Sequence, residues 1–352
     1  MQRLATLPRP LRAGATLLLA LGAALAAVRL GMPLPWIIGP LLATAVCGVT
    51  GLPLAELRPL RNAGQWMIGV ALGLYFTPQV LALLLRLAPA LLAGVAWALL
   101  MGWAFYRWLW WLHRREGTLH RATAFFAAAI GGASEMAVLA ERHGGQVDRV
   151  AAAHSLRVLM VVVIIPFGYQ AAGIHGADAA LPGVQAVQPA GLALLLAASL
   201  LGVGLVRGLR WPNPWVLGAL AVTAALTGAG VELSALPAWM SRAAQLFIGV
   251  ALGVRFTPEF ARAAPRWLAG VAAGTLAMIA ASGAFAWALA TAAGLHPATV
   301  MLGTSPGGIA EMCITAKVLQ LGVPVVTALH VTRYVAVLVL TPLLYRRAAK
   351  AS

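Results

Sequence analysis

The chain has 352 residues, of which 61% are hydrophobic and only 10% charged, with a mean hydropathy of +0.88. Soluble domains carry about a quarter of their residues charged, so this composition excludes a water-soluble enzyme and points to lipid as the solvent. The formal charge of +16 would suggest a nucleic-acid partner if it gathered on one face. Instead the arginines stand singly between apolar runs, as membrane loops carry them, so no nucleic acid is expected.

In chain order, Arg3, Arg9 and Arg12 precede the first apolar run, 13–30. Ala24-Leu25-Ala26 resembles a signal-peptide cleavage site, but the same layout recurs internally, so the run is read as the first span. Further apolar segments follow at 34–50, 62–76 and 87–111, then a broken stretch at 122–142 and a last segment at 150–171. The series repeats at 189–206, 214–230, 242–256, 266–293, 298–320 and 324–345. A span needs roughly 17–25 apolar residues, so 62–76 and its counterpart only just cross. Trp103, Trp108, Trp110 and Trp111 cluster where the fourth segment ends, as an interfacial belt would. Cys47 and Cys313 both lie in apolar segments and offer neither a disulfide framework nor a metal motif.

The two series are copies. Pro35-Trp36-Ile37-Ile38-Gly39 returns as Pro214-Trp215-Val216-Leu217-Gly218, and QWMIGVALGLYFTP at 65–78 returns as QLFIGVALGVRFTP at 245–258. Gly131-Gly132-Ala133-Ser134-Glu135-Met136 returns as Gly307-Gly308-Ile309-Ala310-Glu311-Met312, and His154, Arg157 and Pro166 return as His330, Arg333 and Pro342. Four motifs in one order define a tandem duplication. The organisation expected is a first transmembrane repeat at 1–175, an external linker at 176–188 and a second repeat at 189–352.

Lysine and arginine positions orient the chain. If each broken stretch dips in and returns, each repeat has five crossings and the second is inverted relative to the first. With a cytoplasmic N-terminus, 19 of the 25 basic residues then lie inside, 4 outside and 2 within the membrane. If the broken stretches cross fully, the partition falls to about 13 against 10 and the bias disappears. The fold class expected is therefore an all-α membrane protein of two inverted repeats of about five helices, each with a broken or re-entrant helix. Both termini are expected in the cytoplasm, with His175 and Asp178 of the long linker outside.

Inverted repeats with interrupted helices are the architecture of many secondary transporters, whose sites lie at the midplane between the breaks. Here Gly131-Gly132 and Ser305-Pro306-Gly307-Gly308 interrupt the apolar runs, because proline removes a backbone donor and glycine admits unusual geometry. Glu135 and Glu311 follow within the first turn of the resuming helix, where the dipole favours a carboxylate and free N–H groups offer an anion site. Arg157 and Arg333 come twenty-two residues later, with His154 and His330 three residues before them on the same face. Ionisable groups at this depth face a partner or an aqueous cavity.

Two readings stand side by side. In one, Gly131, Gly132, Ser134, Glu135, Arg157, Ser305, Gly307, Gly308, Glu311 and Arg333 line a substrate site, and Glu135, Glu311, His154 or His330 carries a coupling proton. In the other, a Glu–Arg salt bridge in each repeat merely ties the broken segment to the last helix, and the histidines are packing residues. The GVALG segments read as close-packing helix surfaces, and Thr77 and Thr257, each before a proline, as helix ends.

Together the PW(I/V)(I/L)G, QxxIGVALGxxFTP, GGxxEM and HxxR motifs, each present twice, resemble the bacterial AbrB membrane-duplication family. Members carry the labels regulator, after a proposed effect on expression of the aidB gene, and ammonia monooxygenase. More distantly the layout is similar to the cation-proton antiporter and anion transporter superfamily, whose resemblance implies inverted five-span repeats with crossing broken helices. A monooxygenase would need clustered histidine and carboxylate ligands; the seven histidines are dispersed, and His113, His120, His143 and His175 fall in predicted loops. The expectation is thus a non-enzymatic inner-membrane protein without a cofactor. It would be a secondary transporter of a small polar or anionic solute, or else a membrane sensor that affects gene expression indirectly. Its partners would be the lipid bilayer and a small molecule, and a homo-oligomer is compatible with both readings.

Overall fold

In the computed structural model, residues 8–114, 119–176, 186–258, 260 and 265–350 are described. Among them every regular element is helical and none is a strand. The first repeat contributes α1 (Arg9–Arg29), α2 (Pro35–Val49), α3 (Arg58–Gly73), α4 (Pro78–Arg86), α5 (Ala88–His113), α6 (Arg121–Ala128), α7 (Ala133–Arg142) and α8 (Val147–Ala171). The second contributes α9 (Pro189–Gly208), α10 (Pro214–Gly228), α11 (Ala238–Gly253), α12 (Pro265–Ala293), α13 (Pro297–Thr304), α14 (Ile309–Val318) and α15 (Val323–Lys350). Most of the 176–188 linker, and with it Asp178, lies outside the described residues, as do Arg3, Arg115 and Arg262.

Among the described residues six helices are long and apolar enough to cross a bilayer: α1, α5, α8, α9, α12 and α15 through Arg347. The chain is a multi-pass, all-α membrane protein. α2 and α10 are apolar but have only 15 residues each, about 23 Å against a hydrocarbon core of roughly 30 Å. α3 and α4 together form one more candidate span, bent by 86° at the break between them. The bend follows from the FTP sequence: α3 stops at Gly73, Pro78 opens α4, and the Thr77 hydroxyl accepts from the Val80 N–H at 3.4 Å. Thr77 thus caps the next helix as well as ending the last. Thr257 takes the same role toward the Phe260 N–H, at 3.3 Å.

Prolines at the first helical positions set several starts, because the missing N–H is surplus there and φ is already helical. At α2 and α10 the preceding residues, Leu34 and Asn213, both adopt left-handed geometry (φ 44° and 54°). Asparagine tolerates this readily; Leu34 is held in it by complete burial.

The chain divides into two compact units, and each takes helices from both repeats. The first comprises Met1–Leu85, Pro166–Ala261 and Lys317–Pro324. Here the GVALG glycines do what their spacing suggests. A Cβ on Gly69 of α3 would sit 2.5 Å from the Val216 carbonyl of α10, and one on Gly249 of α11 would sit 2.6 Å from the Ile37 carbonyl of α2. Each GVALG helix therefore lies backbone to backbone on the PW helix of the other repeat. At the crossing of α3 and α11, a Cβ on Gly64 would sit 3.1 Å from the carbonyl of its own counterpart, Ala244.

The second unit comprises Arg86–Ile165, Arg262–Ala316 and Val325–Ser352. Its core joins Phe105 and Leu109 of α5, Phe126 of α6, Met136 of α7 and Trp267, Val271 and Met278 of α12. His113 is not in a loop as expected. α5 runs two residues beyond the apolar segment, and the imidazole is buried against Trp267, with ring centroids 5.3 Å apart.

Candidate functional site: two propped helix breaks

Both broken stretches are split where the glycines stand. α6 ends at Ala128, and after Ala129–Gly132 α7 begins; α13 ends at Thr304, and after Ser305–Gly308 α14 begins. Residues at the breaks are extended: Ala129 has φ −56°, ψ 134° and Ser305 has φ −61°, ψ 151°. Each break therefore strands the last carbonyls of one half-helix and the first N–H groups of the next.

The HxxR motif deals with the carbonyls. Arg157 donates from its two terminal nitrogens to Ala127 O at 3.2 Å and Ala129 O at 3.0 Å, while His154 Nε2 lies 2.9 Å from Phe126 O. In the second repeat Arg333 donates to Ser305 O at 2.5 Å and Gly307 O at 2.7 Å, and His330 Nε2 lies 2.9 Å from Leu302 O. A carbonyl only accepts, so each Nε2 must carry the proton. Each Nδ1 then accepts from the arginine, at 2.9 Å in the first repeat and 2.8 Å in the second. Both imidazoles are thus held as one neutral tautomer with both nitrogens in use. A second proton on Nδ1 would face the guanidinium N–H, which argues for the histidines as props rather than proton carriers.

The arginines are likewise occupied, though not completely. Arg157 and Arg333 are 2% and 4% exposed, and the Nε of each is buried without a hydrogen-bond partner. The hydrogen bonds of these guanidinium groups run to the break carbonyls and the histidines, which is a cap on a half-helix C-terminus rather than the Glu–Arg tie considered from sequence.

The glycines and the glutamates fit one another residue by residue. A Cβ on Gly132 would overlap the carboxylate of Glu135, and one on Gly308 that of Glu311, so each glutamate folds back over the N-terminus of its own half-helix. The preceding glycines make room for the methionines. A Cβ on Gly131 would come within 3.0 Å of Met136, and one on Gly307 within 2.6 Å of Met312. The same added Cβ atoms would lie 3.2 Å from Val337 at Gly131 and 3.0 Å from Val161 at Gly307. These two valines are counterparts, so each break lies against the last helix of the other repeat.

All the candidate site residues read from sequence fall in this second unit. Gly131, Gly132 and Glu135 are half-buried and Ser134 is exposed on the first turn of α7. Ser305, Gly307 and Glu311 are buried, Gly308 is half-buried, and the Ser305 hydroxyl donates to Leu302 O at 3.0 Å. Sequence reasoning missed Tyr334, whose hydroxyl donates to Glu135 Oε1 at 3.2 Å and so links α15 of one repeat to α7 of the other. The available signal was a departure from the duplication: Val158 stands at the matching position of the first repeat. A second departure is Cys313, buried and accepting from the Thr327 hydroxyl at 3.3 Å, where the first repeat has Ala137 and Ala151.

A family model described as transition state regulatory protein AbrB matches residues 36–349. The chain belongs to the AbrB family. A relative from Escherichia coli (strain K12), named "Putative regulator AbrB", is 25% identical over 317 residues, covering 90% of each chain. Another from Bacillus subtilis (strain 168), named "Uncharacterized protein YhjN", is 27% identical over 303 residues, covering 80% of this chain and 77% of its own. The match takes in both breaks and both HxxR helices of this AbrB-family chain.

Proposed function

We propose that this AbrB-family protein is a secondary transporter of the bacterial inner membrane that moves a small polar or anionic solute, coupled to protons. Both termini lie in the cytoplasm, the two repeats are inverted, and the protein is not an enzyme. The observation that carries the reading is the pair of propped breaks. Interrupted backbone at membrane depth is tolerable only when buried in protein or lining a cavity. Here each interruption is held open by a dedicated His–Arg pair, which a purely structural helix would not need. Glu135 and Glu311, at the N-termini of the two resuming half-helices, are the groups positioned to take up and release the coupling proton. Arg157 and Arg333 fix the breaks and bring positive charge to a site that favours an anion.

Reconstitution tests this directly. Purified protein in liposomes is expected to show proton movement driven by a solute gradient, and Glu135→Gln with Glu311→Gln to remove it. The second reading, a membrane sensor that acts through a protein partner, draws support from the regulator name of the Escherichia coli relative. It would prevail if liposomes show no flux of any tested solute or proton and the two glutamine variants leave the cellular phenotype intact.

A further inference from the structure

The seam between α5 and α12 carries a feature that the two breaks do not use. The helices run antiparallel and are pinned at two levels. At one, Trp97 stacks on Phe285 with ring centroids 4.3 Å apart; at the other, Trp108 Nε1 donates to Gly270 O at 3.0 Å. Between the pins α12 presents Gly274, Ala277 and Ala281 to α5, and the helices leave a cavity of about 220 Å³ that opens outward. Met101, Phe105 and Trp108 line one side and Gly274, Met278 and Ala281 the other. The lining is almost wholly apolar, and at the Trp108 end of the seam stand the exposed side chains of Arg107, Arg114 and Arg266. Arg149 lies half-buried over Trp267 at that same end, with Asp148 beside it as a partial offset.

From this we infer that the α5–α12 seam is a binding site for one anionic glycerophospholipid, with part of an acyl chain in the groove and the phosphate at the arginine rim. The apolar groove alone would not select a lipid, because acyl chains gain no hydrophobic driving force by leaving other acyl chains. Selection must come from the headgroup. A basic rim at the end of an interhelical groove is the arrangement that holds anionic headgroups, and tryptophans at the same level mark the membrane interface. Lipid binding at this seam does not depend on whether the protein transports anything.

The test uses the whole protein in detergent, titrated with palmitoyl-oleoyl phosphatidylglycerol and phosphatidylcholine and read by native mass spectrometry. Wild type is expected to retain phosphatidylglycerol at least roughly tenfold more strongly than phosphatidylcholine. Arg107→Ser with Arg266→Ser is expected to erase the preference, and Ala277→Leu, at an exposed position of the groove lining, to weaken retention of both lipids. Equal retention by wild type, which requires no variant to fold, would overturn the proposal. So would a preference that survives both changes, or a groove filled by a second copy, seen as a dimer that Ala277→Leu dissolves whatever the lipid.

Discussion

At Arg157 and Arg333 a guanidinium is spent on backbone oxygens, and the histidine three residues earlier completes the cap. Truncating either arginine leaves buried carbonyls without donors, each at a cost of about 1–3 kcal/mol. Arg333→Ala is therefore expected to lower stability by about 3 kcal/mol or more, read as a large drop in the thermal midpoint in detergent. Lysine cannot restore two directed donors from one planar group, so Arg333→Lys should recover little of that loss. The histidines make a finer distinction. Glutamine can also donate to Leu302 O and accept from Arg333, so His330→Gln should be tolerated far better than His330→Leu. Equal damage from both would show that His330 does more than prop the break. The glutamates were legible in sequence as first-turn residues of a half-helix. The partners of the arginines were not, because a carbonyl 26 to 30 positions away leaves no mark in side-chain identity. Tyr334 was hidden for a different reason. It breaks the repeat, and a search for recurring motifs passes over positions where the copies disagree.

At the scale of elements, the glycines of GVALG decide how the first unit is built. Gly69 and Gly249 each meet a main-chain carbonyl of the other repeat, an atom that cannot move aside without moving its helix. Gly249→Val is therefore expected to separate α11 from α2 and cost about 1–3 kcal/mol or more, seen as early thermal aggregation. Gly14, with nothing near its Cβ, should accept alanine with little change or a small gain. Hydrophobic runs and prolines predicted most helices closely, because segment length, helix starts and the two glycine breaks are written in local composition. The α3–α4 bend was read only as an end. Nothing local distinguishes a proline that stops a helix from one that also begins another nearly perpendicular to it.

At the scale of the molecule, duplication is plain in the sequence, yet the compact units do not follow its halves. Each repeat supplies its first helices to one unit and its broken helix and last helix to the other. Pairing of counterparts across the repeats, such as Gly64 with Ala244 or Val161 and Val337 with opposite breaks, accounts for this. Copies of one chain segment share complementary surfaces, so the partner a helix needs is found in the other copy. Motif order alone reveals the two copies but not which surfaces they exchange.

The proposed inverted arrangement requires the two breaks to enter the membrane from opposite faces. In a background with Cys47 and Cys313 replaced by alanine, cysteine can be placed singly at His120 and at His296, the residues that immediately precede α6 and α13. Labelling of intact and inverted vesicles with a membrane-impermeant thiol reagent then reports the side of each. His120→Cys is expected to react only from the cytoplasmic face and His296→Cys only from the opposite one. Reaction of both from the same face would contradict the inverted pair, and with it the site proposed at the two breaks.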